Sequence, residues 1–104
     1  MRNAAKPREV IWTANARPNL DAIWLFVAQD NIDAADALMD TIRSTSVLLE
    51  RHPKAGRSSK VRGMREYVVP GTPYIVIYRI ADRTVQILGV IHGARDWPPK
   101  RRRA

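Results

Sequence analysis

The first half of the chain repeats hydrophobic residues at the spacing of amphipathic helices. Asn15 offers a helix N-cap, and the stretch after it carries an apolar stripe of Leu20, Ile23 and Val27, which Phe26 widens. Because these four side chains lie on one side of a helical wheel, we expect all of them to face a core. The pattern therefore predicts a first helix that begins after Asn15.

A second helical pattern follows a short polar break at residues 30–33. Its predicted core-facing residues are Ala35, Leu38, Ile42 and Leu49. His52-Pro53 ends the pattern, because proline disfavours the helical conformation in the residue before it. Since only a few residues connect the two helices, we expect an antiparallel helical hairpin.

The remaining hydrophobic segments have the composition of strands. Runs rich in β-branched and aromatic residues predict strands over residues 8–13, 64–69, 74–80 and 84–92. The order β-α-α-β-β-β predicts an α+β fold, with the helical hairpin packed on one face of a small, antiparallel-dominated sheet of three or four strands. We expect no helix over the opposite face, which is therefore a natural place for a functional groove.

Length and composition indicate one small domain. With 104 residues, 45% of them hydrophobic, the chain can form a single modest core. We expect one domain over residues 1–104, with an ordered core at about 8–97 and a basic tail at 98–104. The longest apolar run, residues 23–28, is far too short to span a bilayer, and no apolar leader opens the sequence, so we expect a cytoplasmic location. The absence of cysteine excludes disulfides and cysteine-based zinc sites.

Charge is distributed unevenly along the chain. The formal net charge is +8, but residues 1–50 hold five Lys/Arg against seven Asp/Glu, whereas residues 51–104 hold thirteen against three. A stretch without acidic residues runs from Arg51 to Arg65, and Lys100-Arg101-Arg102-Arg103 lies near the C-terminus. This balance favours an anionic partner, either nucleic acid or an acidic protein.

The candidate chemistry rests on cations near the predicted sheet. No phosphate-binding glycine loop, nucleophile elbow or metal-ligand spacing occurs, so we expect neither a metal nor a cofactor. The cations are Lys54, Arg57, Lys60, Arg62, Arg65, Arg79, His92 and Arg95. Such a group could cleave RNA without a metal, since that reaction needs a base for the 2′-hydroxyl proton, a cation for the phosphate and an acid for the leaving oxygen.

Simpler interpretations stand beside this one. A basic loop is more often a solvated surface or a polyanion-binding patch than a catalytic centre. His92 at a strand end is compatible with a hydrogen-bonded structural role, and Arg79 with capping a carboxylate such as Glu66. Trp97 is expected to pack the C-terminus onto the sheet edge, and the basic tail is most simply a solubilising one.

Segments spread over residues 8–97 resemble, in order, those of the RelE/ParE superfamily of type II toxin–antitoxin toxins. The matching segments are Trp12-Thr13-x-x-Ala16, Leu20-Asp21-x-Ile23-Trp24, Leu49-x-x-His52-Pro53, Gly63-x-Arg65-Glu66-Tyr67, Tyr74-Ile75-Val76-Ile77-Tyr78-Arg79 and Val90-Ile91-His92-x-x-Arg95-Asp96-Trp97. The superfamily fold is the helical hairpin on a sheet described above. The resemblance implies a small toxin that a cognate antitoxin protein holds inactive.

The superfamily contains two activities, and the resemblance favours one of them. Ribosome-dependent mRNA endonucleases of the RelE branch typically carry an arginine after the first tyrosine of the Tyr-x-x-x-Tyr strand, where this chain has Ile75. The ParE branch, which inhibits DNA gyrase, more often shows His-x-x-Arg at the end of the last strand, as at His92 and Arg95. The resemblance therefore implies ParE-like gyrase inhibition. RelE-like mRNA cleavage is the alternative, and a degenerate toxin that only binds antitoxin is a third hypothesis.

Each hypothesis assigns roles to particular residues. Under either activity the basic loop contacts the target through Lys54, Arg57, Lys60 and Arg62. Only under the RNase hypothesis do the catalytic groups come from Arg65, Arg79, His92 and Arg95. Neither hypothesis requires a metal or a cofactor.

Helix geometry, independently of the resemblance, predicts where the antitoxin binds. Leu25 points nearly opposite the core-facing stripe of the first helix, and Trp24 lies off its edge. Exposed apolar area of this kind often marks a partner site. We therefore expect an amphipathic antitoxin helix to cover Trp24 and Leu25. The alternative is that Trp24 packs into the hairpin and Leu25 is an isolated exposed leucine.

Overall fold

Both predicted helices form, and each begins after an asparagine. Helix α1 spans Ala16–Ala28, but the side chain of Asn15 makes no capping hydrogen bond. Helix α2 spans Ile32–Arg51, and Oδ1 of Asn31 accepts a hydrogen bond from the Ala34 N–H at 3.0 Å. The N-terminus of α2 is therefore capped by the side chain of Asn31, whereas α1 begins without a side-chain cap and is positioned by its contacts with the rest of the molecule.

The computed structural model describes residues 9–96, without the side chains of Arg95 and Asp96. The strands are β1 (Glu9–Trp12), β2 (Arg57–Ser58), β3 (Arg65–Val68), β4 (Tyr74–Ala81) and β5 (Thr84–His92), and a short helix α3 (Gly93–Asp96) follows. The basic tail expected at residues 98–104 and Trp97 lie outside the described residues. No helix within residues 9–96 combines the length and apolarity needed to cross a membrane.

The five strands form one sheet in the order β1-β5-β4-β3-β2. Strand β1 pairs with β5 in parallel, and the other neighbouring strands are antiparallel. Strand β4 lies at the centre, in agreement with its apolar sequence. The predicted α+β fold, a helical hairpin on an antiparallel-dominated sheet, is confirmed.

Alternate residues of β4 bind the helices to the sheet. Tyr74, Val76 and Tyr78 face the hairpin and are buried in the core. The neighbouring strand β5 contributes Val85, Ile87 and Val90, and the helices contribute Ala16, Ile23, Met39, Ile42 and Leu49. Side-chain hydrogen bonds support this packing: Trp12 Nε1 donates to Ser46 Oγ at 2.8 Å, and the Val90 N–H donates to Asn19 Oδ1 at 3.0 Å.

Strand β2 and helix α3 were not predicted from the sequence, because neither has a hydrophobic pattern. Strand β2 contains only two exposed residues, Arg57 and Ser58, and it exists because they pair with Glu66 and Arg65 of β3. Helix α3 is four residues long in the described chain. The sheet therefore has five strands rather than three or four. Short elements of this kind depend on their tertiary neighbours more than on local propensity.

The expectation that Phe26 faces the core is wrong. Its side chain is 59% exposed, whereas Ile23 is buried and Leu20 packs against the core. On the wheel Phe26 lies about 60° from Ile23, toward the strand ends of the sheet. The core-facing stripe of α1 is therefore narrower than predicted.

The second face of the sheet is less open than expected. Ile75 and Ile77, which point away from the hairpin, are only 8% and 4% exposed. Helix α3 begins beside this face, since a Cβ at Gly93 would lie 2.8 Å from Ile75 Cδ1. The middle of this face is thus covered rather than forming an empty groove.

The core predicts a clear contrast along α2. Replacing the fully buried Ile42 with alanine should lower the free energy of unfolding by about 2–5 kcal/mol, because a cavity replaces packed methyl groups. Val47 on the same helix is 59% exposed, so Val47→Ala should change stability by less than about 0.5 kcal/mol. Urea denaturation followed by circular dichroism measures both. Equal losses from the two variants would contradict the assigned orientation of α2.

Candidate functional site

The basic loop, residues 52–64 between α2 and β3, is anchored to the central strand by Tyr78. The hydroxyl of this fully buried tyrosine donates to the carbonyl of Pro53 and accepts from the N–H of Gly56, both at 2.8 Å. A Cβ at Gly56 would lie 2.6 Å from both the Tyr78 hydroxyl and the Glu66 carbonyl. Glycine is therefore required for this close approach.

Arg65 of β3 holds the same part of the loop from the neighbouring strand. Its Nη2 donates to the carbonyls of Gly56 at 2.7 Å and Lys54 at 3.4 Å, and its Nε donates to Gly56 at 3.1 Å. These bonds engage the guanidinium with backbone oxygens. The guanidinium of Arg65 therefore stabilises the conformation of the loop.

Arg57 makes the third attachment of the loop. Its Nη2 and Nε lie 3.0 and 3.1 Å from Oε1 of Glu66, a carboxylate that is only 5% exposed. The buried charge of Glu66 requires such a partner, since an unpaired buried carboxylate is costly. Within residues 9–96, the salt bridge of Glu66 is with Arg57, whereas the simpler interpretation of the sequence had allowed Arg79 to cap this carboxylate.

The other predicted loop cations face solvent. Lys54, Lys60 and Arg62 are exposed, and none of them forms a salt bridge within residues 9–96. The loop between β2 and β3 is itself ordered by backbone hydrogen bonds, including Ser59 N–H to the Met64 carbonyl at 2.9 Å. The ordered loop backbone thus carries three exposed positive charges without a salt bridge in the described part of the chain, which suits an anionic partner surface.

The remaining predicted cations lie elsewhere. Arg79 is exposed on the face opposite the helices, and its Nε donates to Gln86 Oε1 at 2.7 Å. His92 ends β5 opposite Tyr74, with the two rings edge to face and their centroids 5.7 Å apart. Arg95 lies in α3, and its side chain is outside the described part of the chain.

Arg79 and His92 are therefore not brought together. His92 pairs with Tyr74, five residues before Arg79 on β4, a separation of roughly 16 Å along the strand. The two side chains also point to opposite faces of the sheet. Arg65 lies opposite Tyr78, four residues from Tyr74, or about 13 Å along the same strand.

Helix α1 separates two grooves on the hairpin side of the molecule. The sheet-side groove lies between Asn19, Ala22 and Phe26 of α1 and Tyr74, Val90 and His92 of the sheet. The hairpin groove lies between α1, α2 and β1, and is lined by Trp12, Arg17, Leu20, Trp24, Met39 and Arg43. Both are open to solvent.

Trp24 and Leu25 lie on different sides of α1. Leu25 is 60% exposed on the outer surface and continues through Ala22 to Phe26 and the sheet-side groove. Trp24 is half-buried against α2, where its Nε1 donates to Asp36 Oδ1 at 2.8 Å. The apolar face formed by Ala22, Leu25 and Phe26, here called the outer α1 face, therefore includes Leu25 and excludes Trp24.

Tyr78 and Gly56 are functional candidates that the sequence did not identify. A tyrosine in an apolar central strand signals a buried hydroxyl that needs hydrogen-bond partners. Which loop supplies the partners is not encoded locally. Among residues 9–96, no group of three or more His, Asp or Glu side chains is arranged to hold a metal ion.

Comparison with known proteins gives consistent matches over most of the chain. The family model described as the ParE toxin of type II toxin–antitoxin system, parDE, matches residues 10–97. The protein Y4kP of Sinorhizobium fredii is 35% identical over 91 residues, covering 88% of this chain and 94% of that protein. Toxin RelE2 of Caulobacter vibrioides is 31% identical over 87 residues, covering 84% of this chain and 97% of that toxin.

Two solved structures of toxin–antitoxin systems contain a chain that is similar to this one. The chromosomal ParDE toxin–antitoxin system from P. aeruginosa contains a chain with a TM-score of 0.75 and 25% identity, covering 85% of this chain and 98% of that one. The toxin–antitoxin complex RelBE2 from Mycobacterium tuberculosis contains one with a TM-score of 0.58 and 27% identity, covering 83% and 98%.

The loop anchor makes a prediction for Tyr78. Tyr78→Phe removes the hydroxyl that bridges Pro53 and Gly56 and should lower the free energy of unfolding by about 1–3 kcal/mol, because buried backbone groups lose their partner. The Gly56 amide should also exchange its hydrogen faster, as measured by NMR. Tyr67→Phe is the matched control, since the Tyr67 hydroxyl makes no hydrogen bond within residues 9–96. If the two variants exchanged at Gly56 alike, the anchor would have no energetic role.

Proposed function

We propose that this chain, which belongs to the ParE toxin family of type II toxin–antitoxin systems, inhibits DNA gyrase in the cytoplasm until a cognate antitoxin neutralises it. The observation that carries the proposal is the anchored basic loop. It presents Lys54, Lys60 and Arg62 on a hydrogen-bonded support, an arrangement suited to binding an anionic surface of the target, and the positions of the other cations then favour gyrase over RNA.

The positions of the other cations support binding rather than cleavage. Metal-free RNA cleavage needs a base, a phosphate-binding cation and an acid around one phosphate. Arg79 and His92 point to opposite faces and lie roughly 16 Å apart along the sheet, which is too far for one phosphate. Ile75, at the position where the RelE branch carries arginine, is only 8% exposed.

The alternative function is a RelE-like, ribosome-dependent mRNA endonuclease. The similarity to Toxin RelE2 and to the RelBE2 complex favours it, because those proteins carry the name of the other branch. Under this alternative, the predicted catalytic groups are Arg65, Arg79, His92 and Arg95. Purified target systems distinguish the two functions directly.

The outer α1 face is the proposed antitoxin site. Leu25 and Phe26 are 60% and 59% exposed, and they continue into the sheet-side groove. Such a contiguous apolar surface fits an amphipathic helix of the antitoxin. This site lies on the acidic half of the sequence, whereas the proposed gyrase contacts lie on the basic half, so the antitoxin and the target use different surfaces.

The basic loop predicts loss of toxicity without loss of antitoxin binding. A Lys54→Gln/Lys60→Gln/Arg62→Gln variant should no longer arrest growth when produced without antitoxin, because three exposed contacts to the target are removed. Arg57 stays unchanged, since it pairs with the buried Glu66. Arg83→Gln, on the exposed turn between β4 and β5, is the control and should remain toxic. Full toxicity of the triple variant would exclude the loop from the target contact.

If DNA gyrase is the target, the purified toxin should inhibit gyrase and should not cause mRNA cleavage on ribosomes. Adding the toxin to DNA gyrase should inhibit supercoiling of a relaxed plasmid and stabilise cleaved DNA, as resolved on agarose gels. Adding it to translating ribosomes should leave the mRNA intact, as checked by primer extension. The triple loop variant should be inactive toward gyrase. mRNA cleavage without any effect on gyrase would overturn the proposal and establish the alternative.

The outer α1 face predicts a charge-sensitive antitoxin contact. Leu25→Glu places an unpaired carboxylate in that interface and should weaken antitoxin binding by about 3 kcal/mol, while toxicity persists. Val47→Glu is the control, because Val47 is equally exposed at 59% but lies on α2 outside both grooves. Isothermal calorimetry with the purified antitoxin measures both. Identical affinities for Leu25→Glu and the parent protein would remove this face from the antitoxin site.

A further inference from the structure

The hairpin groove is not used by the proposed contacts, although its lining combines two indole rings with two guanidinium groups. Trp24, Leu20 and Arg17 come from α1, Arg43 and Met39 from α2, and Trp12 from β1. The groove encloses about 550 Å³ and is open to solvent along the hairpin. Its size admits one or two large side chains of a partner.

The two indole rings offer this groove apolar surface and no hydrogen-bond donor. Trp12 Nε1 donates to Ser46 Oγ, and Trp24 Nε1 donates to Asp36 Oδ1, each at 2.8 Å. An indole has one N–H, so both donors are already used within the chain. The tryptophan carbons and Met39 therefore favour an apolar side chain of the ligand.

The two arginines supply positive charge on opposite walls of the groove. Arg17 forms no salt bridge within residues 9–96, and Arg43 makes only a 3.8 Å contact with Asp40 between two exposed side chains. A contact of that kind is worth little in water. With Asp21 also on the rim, the lining carries a net charge of +1, which favours one carboxylate rather than a multiply charged ligand.

We propose that the hairpin groove binds an acidic, apolar segment of the cognate antitoxin, with an apolar side chain against Trp12 and Trp24 and a carboxylate between Arg17 and Arg43. This proposal rests on the proposed function, because it assumes an antitoxin partner. It adds a second contact on the other side of α1 from the sheet-side groove. The antitoxin then holds α1 from both sides.

A peptide fits the surroundings of the groove better than nucleic acid. The outward face of α2 carries Asp33, Asp36 and Asp40, and all three are exposed. A nucleic acid strand crossing the groove would bring successive phosphates close to these carboxylates, and like charges repel. A peptide can place a single carboxylate at the arginines and neutral residues elsewhere.

One polypeptide can reach both grooves. They are separated by the width of α1, and a helix with its side chains is about 10–12 Å across. An extended chain covers roughly 3.3 Å per residue, and the path around the outer half of a helix of that width is roughly 16–19 Å, so about five or six residues cross over Leu25. An antitoxin segment bound on the outer α1 face can therefore continue into the hairpin groove.

The test compares antitoxin affinity for two double variants with the same change of charge. Arg17→Gln/Arg43→Gln removes the charges of the hairpin groove, and Arg51→Gln/Arg83→Gln removes two exposed charges outside it. Each toxin carries a dye on a cysteine added after residue 104, since the chain has no cysteine of its own. Competition against the unlabelled parental complex gives the affinity. We expect the groove variant to bind the antitoxin at least tenfold more weakly and the control less than twofold.

A second measurement identifies the partner group. Each Asp and Glu of the antitoxin is changed to its amide and tested against both the parent toxin and the Arg17→Gln/Arg43→Gln variant. One amide should weaken binding to the parent at least tenfold and have less than a twofold effect on the groove variant, because the pair that it disrupts is already absent. Circular dichroism of each variant verifies that the fold is retained.

Three outcomes would overturn the inference. Equal weakening by the two double variants would show a general effect of net charge. Unchanged antitoxin affinity of the groove variant, with weaker binding of a fluorescein-labelled 20-nucleotide RNA or DNA, would assign the groove to nucleic acid. Unchanged binding of both would leave the groove without a ligand role. If Leu25→Glu still weakened antitoxin binding in the same assay, only this inference would fail and the proposed antitoxin site on α1 would stand.

Discussion

The fully buried tyrosine of the central strand connects the hydrophobic core to the basic loop. The ring of Tyr78 lies in the core beneath the helical hairpin, and its hydroxyl reaches out of that core to Pro53 and Gly56 of the basic loop. A buried hydroxyl must be hydrogen-bonded, so the packing of the core also fixes the position of the loop. Arg65 and the Arg57–Glu66 pair then attach the same segment to β3.

This arrangement divides the cations of one basic segment into those that hold the loop and those that stay exposed. Arg57 and Arg65 use their charge to hold the loop, whereas Lys54, Lys60 and Arg62 remain available for a partner. A count of cations in the sequence cannot make this distinction. The distinction depends on two tertiary contacts. Glu66 is buried and pairs with Arg57, and Arg65 of β3 lies within hydrogen-bond distance of the Gly56 carbonyl.

Helix α1 packs between the sheet and α2. One side of it packs on β5, where Asn19 accepts a hydrogen bond from Val90, and another packs on α2, where Trp24 donates to Asp36. Between these contacts Leu25 and Phe26 remain exposed. The helix is therefore held by both neighbours and still presents apolar surface to solvent, which is the combination expected of a site that a partner protein covers.

The sequence by itself determined the helical hairpin, the four longer strands and the segregation of charge, because each depends on local periodicity or composition. It also placed Leu25 outside the core, since the helical wheel fixes that direction. It could not place Phe26, whose burial depends on how far the strand ends extend beside α1, nor predict β2, which exists only through pairing with β3. The candidate site was also only partly predictable from the sequence. The loop cations were visible as a run of charge, but only the tertiary structure separated Arg79 from His92, because strand register and side-chain alternation send them to opposite ends and opposite faces of one sheet.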